Sequence, residues 1–81
     1  MFTVYVLKSL RNSKRYVGFT SRDVNLRLHE HNSGYSTFTS QNGPFVIVYT
    51  KVYGSKLEAG KREKYLKSGQ GRKFLDGVIK I

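Results

Sequence analysis

Eighty-one residues bound the chain to one small domain, 1–81, in which roughly 60% of the unfolded surface can be buried. With no cysteine, disulfides and thiolate zinc sites are excluded and a reducing, cytoplasmic setting is expected. No apolar run approaches the ~18 residues of a membrane span, and the first residues lack a secretory-signal layout. Fifteen Lys and Arg against five Asp and Glu, net +10, predict a polyanionic partner. Nucleic acid is favoured over an anionic membrane surface; the plainer readings are a solubility surface or a ribosomal-type RNA binder. Basic residues are spread along the chain, which predicts a folded basic face in place of a disordered arm.

Residues 2–8 alternate. Phe2, Val4 and Val6 point one way, and Thr3, Tyr5 and Leu7 the other, as on a strand. Residues 9–14 are polar and contain Asn12-Ser13, a turn composition. Residues 15–19 form a second, aromatic strand, and the pair predicts an antiparallel hairpin in which Tyr5 and Tyr16 lie close if they share a face. Gly18 within that strand signals a bulge or a close backbone approach, for instance by a phosphate. Asp23 caps a helix running to about residue 33, with Gly34 suited to its C-terminal end. Arg27 and His31, four apart, share one helix face; His29 lies on another, so the two histidines do not readily share a metal.

Residues 34–43 carry no charge and are rich in hydroxyls and amides. Tyr35, Thr37 and Thr39 suit phosphate donation or base stacking, and a plain connector is an equal alternative. Residues 45–53 are the longest apolar run and predict a well-buried strand. Ser55 and Glu58 form a capping box for a helix to about residue 68, closed by Gly69. A short helix around residues 72–76 has room to follow. The expected fold is therefore α+β and sandwich-like: order β-β-α-β-α, a small three-stranded antiparallel sheet flanked by helices.

Five acids allow assignment by elimination. Asp23 is engaged as a cap, Glu58 in the capping box, Glu30 at a solvated helix position and Asp76 in the tail. Glu63 remains, on a stripe with Ala59 and Leu66. A carboxylate among apolar neighbours costs several kcal/mol unless compensated. Its compensation is either a structural partner, such as Arg27 or Arg62, or a bound metal. A hard cation such as Mg²⁺ can bind through one carboxylate, phosphate and waters. Two-metal nuclease chemistry needs several carboxylates, so this inventory allows one metal.

Val4-Tyr5, then Tyr16-Val17-Gly18 about ten residues on, resembles the paired signature of the GIY-YIG nuclease superfamily. Arg27 with His31 resembles the family's catalytic arginine and nearby histidine or tyrosine. Ala59, Arg62-Glu63 and Leu66-Lys67 resemble its metal-binding glutamate helix. The likeness runs in order over about residues 3 to 67 and is similar to the nuclease domain of the bacterial excision-repair incision subunit, in a small stand-alone form. Thr3 stands in place of the first motif's glycine, Val4 and Val17 in place of isoleucines, and Phe19 where some members carry lysine.

The resemblance implies hydrolysis of DNA phosphodiesters, RNA being open, with Mg²⁺ or Mn²⁺ at Glu63 and a role in repair or recombination. It implies that Arg27 stabilises the phosphate, and that Tyr5, Tyr16 or His31 handles the proton of the attacking water, with the choice open. A free tyrosine titrates near 10, and nearby cations would favour its phenolate. Arg15, Gly18 and Lys67 are the further expected nucleic-acid contacts. The alternative is a non-catalytic basic DNA- or RNA-binding module on the same fold. Taken singly, each site residue also has a plain structural reading, the tyrosines as core aromatics and His31 as a helix-end residue facing the dipole.

Overall fold

The computed structural model describes residues 1–33 and 41–79. Strand β1 spans Phe2–Ser9, β2 Arg15–Thr20 and β3 Phe45–Tyr53; helix α1 spans Val24–Asn32, α2 Lys56–Lys67 and α3 Gly69–Val78. The strands form one antiparallel sheet in the order β2-β1-β3. The expected α+β architecture is the one observed, with the final helix longer than residues 72–76.

Alternation along β1 builds two cores. Val4 and Val6 join Val17, Ala59, Leu66, Leu75 and Ile79 beneath α2 and α3. Tyr5, Leu7 and Phe45 meet Tyr16, Val24, Leu28 and Ile47 on the α1 side. A period of two in the side chains sends alternate residues to opposite faces, so the central strand feeds both layers. Ile79 closes the first core.

Two expectations are corrected. Residues 45–53 do not form the buried strand: β3 lies at a sheet edge, with Val46 and Val52 exposed, and β1 is the buried one. An apolar run reports tolerance of burial, whereas position in the sheet depends on which strands pair. Nor does Gly69 close α2. Ser68 ends α2 and at once caps α3, its Oγ donating to the Tyr65 carbonyl and accepting from the Gly71 amide, so Gly69 is the first residue of α3.

Local polar contacts fix the connections. Ser9 is buried, and its Oγ accepts from the amides of Arg11 and Asn12. Asn12 Oδ1 accepts from the Lys14 amide, and Ser13 takes a left-handed φ of 63°. Asp23 caps α1 by accepting from the Asn25 amide. At the other end of α1, Asn32 clamps the backbone of Phe45, donating to its carbonyl (3.2 Å) and accepting from its amide (2.7 Å). This pins the end of α1, and with it His31, to the start of β3.

Candidate active site

Pairing of β1 with β2 sets Tyr5 opposite Gly18 and Leu7 opposite Tyr16, so both tyrosines lie on the α1 face. Their rings stack at 6.5 Å, interplanar angle 25°. Gly18 explains how Tyr5 crosses β2. A Cβ there would stand 2.8 Å from the Tyr5 hydroxyl and 3.3 Å from the Tyr16 ring. The expected close approach at Gly18 is present, and the group that approaches is the Tyr5 side chain.

His31, on the inner face of α1, is fully buried. Its Nε2 lies 3.2 Å from the Tyr5 hydroxyl, and its ring is 4.6 Å from that of Tyr16. Burial lowers the His31 pKa, and the nearby Arg27 charge lowers it further against the opposing pull of Glu30. The imidazole is therefore neutral at pH 7. The Arg27 guanidinium is near enough to the Tyr5 hydroxyl to pull its pKa down, against the larger effect of burial. In the tautomer of the neutral imidazole that carries its proton on Nδ1, the Tyr5 hydroxyl donates to His31 Nε2.

Glu30 differs from its expected solvated role. It accepts from Arg27 Nη1 and Arg22 Nη2, each at 2.9 Å, and Arg22 first, then Arg27, holds its carboxyl below the usual range. Glu30 thus tethers Arg27, whose charge reaches Tyr5. The i,i+3 spacing of Arg27 and Glu30 signals this pair in the sequence. The Arg22 contact, which bridges the turn before α1, has no such local signature.

Arg27 acts on Tyr5 in the expected direction, favouring the phenolate, but burial outweighs it. Burial is the largest influence on Tyr5 and raises its pKa; the hydrogen bond and charge of Arg27 oppose this without overcoming it. Tyr5 is protonated at neutral pH, since a buried phenolate loses more solvation than one guanidinium returns. Both Tyr16 and Glu63 also push the Tyr5 pKa up, so the carboxylate on α2 lies within electrostatic reach of the α1-face hydroxyls.

Glu63 is paired with Lys67, one turn on, at 3.4 Å, and not with Arg27 or Arg62. Arg62 instead donates to the Tyr49 hydroxyl and lies over the rings of Tyr65 and Phe74. An i,i+4 pair of this kind contributes about 0.3–0.5 kcal/mol and competes weakly with a divalent cation. Among the described residues no group of three or more His, Cys, Asp or Glu could hold a metal. A single carboxylate suits a hard cation completed by phosphate and water.

Of the expected nucleic-acid contacts, Lys67 lies beside Glu63, and Arg15 pairs with Asp76 of α3. Asp76, read from the sequence as a tail residue, is therefore a specific partner across 61 positions. Tyr35, Thr37 and Thr39, with Gly34, lie outside the described residues. No helix among the described residues is long and apolar enough to cross a membrane.

The family model described as the GIY-YIG catalytic domain matches residues 1–74. A UPF0213 protein of Staphylococcus haemolyticus is 38% identical over 66 residues, which cover 80% of this chain and 78% of the relative. A UPF0213 protein of Staphylococcus aureus strain N315 is 37% identical over 73 residues, 89% of this chain and 87% of the relative. The solution NMR structure of a UPF0213 protein from Bacillus halodurans is similar with a TM-score of 0.57 and 33% identity, over 96% of this chain and 85% of that one.

Proposed function

Because the chain belongs to the GIY-YIG catalytic domain family, we propose that it is a divalent-metal-dependent endonuclease acting on DNA phosphodiesters, with weak sequence preference. The observation that carries this reading is the cluster around one hydroxyl: Tyr5 contacts His31, stacks with Tyr16 and feels the charges of Arg27 and Glu63. A core tyrosine needs none of these polar neighbours.

In this reading Arg27, held in place by Glu30, donates to the scissile phosphate and stabilises the charge that grows in the transition state. Tyr5 passes protons. Its oxygen takes a proton from the attacking water while its own proton moves to His31 Nε2, so the neutral imidazole is the terminal base. Tyr16, stacked on Tyr5 and tilted against His31, orients the water. The water oxygen bonds to phosphorus as the bond to the leaving oxygen breaks. Glu63 would hold the cation, Mg²⁺ or Mn²⁺, which when bound neutralises charge on the phosphate and leaving oxygen.

Supercoiled-plasmid nicking with either cation, wild type beside Glu63→Gln, tests this. Gln is nearly isosteric, so the fold should survive while a ligand oxygen is lost. Nicking by wild type and a loss of ~10²-fold or more in Glu63→Gln is expected; equal nicking by both would refute the assignment. One observation favours the second reading, a non-catalytic binding module: Lys67 already neutralises Glu63. That reading predicts salt-sensitive binding with no turnover on linear, branched or RNA substrates.

A further inference from the structure

A groove of about 550 Å³ opens beside the candidate site, between the β1–β2 turn and the α2–α3 corner. Its rim carries Lys14, Arg15, Lys67 and Arg72, and Leu66 and Leu75 contribute an apolar floor. Its volume falls in the range that ligands occupy, about 300–1,000 Å³. The groove adjoins the proposed cation-holding residue, because Lys67 lines it and pairs with Glu63. Four cations around a small apolar floor match a phosphodiester backbone, whose phosphates take the charges and whose sugar rests on the leucines.

Asp76 stands against this charge. It binds Arg15 from α3 and is itself well exposed. Exposed ion pairs are weak, so a phosphate can displace the carboxylate with little loss. Resting on the nuclease reading above, we propose that this groove is a subsite for the strand flanking the scissile phosphate. In it Arg72 is a phosphate contact, and Asp76 lowers affinity by holding Arg15 until a phosphate replaces it.

Fluorescence anisotropy with a labelled 12-nucleotide oligothymidylate in EDTA, across a salt series, tests this without cleavage. Arg72 and Asp76 are both exposed, so neither substitution should disturb folding. Arg72→Ala should raise Kd ~5-fold and make the salt slope shallower by about 0.7, the value for one phosphate contact on a single strand. Asp76→Asn should lower Kd ~2- to 5-fold, because an exposed pair no longer competes. Lys73→Ala removes the same charge from the neighbouring position, which does not line the groove, and should have the smaller effect.

If Arg72→Ala and Lys73→Ala weaken binding equally, the effect is bulk charge and the subsite is overturned. The subsite is also overturned if wild type binds with a clear salt slope and Arg72→Ala and Asp76→Asn match it. If wild type shows no salt-dependent binding, the nuclease reading falls together with this one.

Discussion

Across the β1–β2 ladder, the Tyr5 ring fills the volume that a side chain at position 18 would need. Tyr5 is buried and held by His31 and Tyr16, so it cannot swing aside at little cost. Gly18→Ala should therefore displace the hydroxyl. A shift near 1 Å at such a centre can cost ~10²-fold in rate, and overpacking destabilises by about 1–3 kcal/mol. Plasmid nicking together with thermal denaturation would separate the two, and an unchanged nicking rate would count against Tyr5 as a proton carrier.

His31 makes a second prediction at this scale. Its ordinary pKa is 6.5, and burial depresses the folded value. Below pH 6.5 the unfolded chain binds more protons than the fold, so stability should be full above 6.5 and decline as pH falls toward the depressed value. Glu30, held below its ordinary 4.5 by Arg22 and Arg27, adds a separate decline at lower pH, as its carboxylate protonates. Urea midpoints from pH 7.5 to about 2.5 should show both steps, and His31→Phe should flatten the upper one alone.

Two glycines in adjoining helices should respond to alanine with opposite signs. At Gly71, in the first turn of α3, a Cβ would lie 2.0 Å from the Tyr65 carbonyl oxygen and 2.5 Å from the Leu66 Cα. These are backbone atoms of α2 and cannot rotate away, so Gly71→Ala should cost at least about 3 kcal/mol. At Gly60, within α2, a Cβ meets nothing within 4 Å. Gly60→Ala should add about 0.5–1 kcal/mol by restricting the unfolded chain. For a domain of this size 1 kcal/mol moves Tm by roughly 4–8 °C. Calorimetry should find Gly71→Ala lowered by more than 10 °C and Gly60→Ala raised by a few. Asn32 acts at the same level: through Phe45 it joins α1 to β3, so the helix that carries Arg27 and His31 is tied to the sheet that carries Tyr5.

The charge of the whole chain, +10, governs association with any polyanion. Each phosphate neutralised contributes about −0.9 to the slope of log K against log salt on duplex DNA. With four or so contacts, affinity should fall roughly 10²-fold between 50 and 200 mM salt. Phosphate contacts carry no sequence information, so two duplexes of unrelated sequence should bind within a few-fold of each other. A strong preference between them would point to base-edge contacts that the cationic rim of the groove does not supply.

Much of the fold was legible in the chain because its signals are local. Alternation along residues 2–8, the Asp23 and Ser55 caps and the Asn12-Ser13 turn each depend on neighbours a few positions apart. Tyr5, Tyr16, Arg27, His31 and Glu63 stood out as a set through the resemblance of their motifs to a known family, and pairing of β1 with β2 alone suffices to bring the two tyrosines together. Only the tertiary structure decided that β3 is an edge, that Glu30 also holds Arg22, that Asp76 reaches Arg15, and that burial keeps the Tyr5 proton in place. These last features depend on which groups lose water and which distant partners replace it, and a one-dimensional pattern does not contain that free-energy balance.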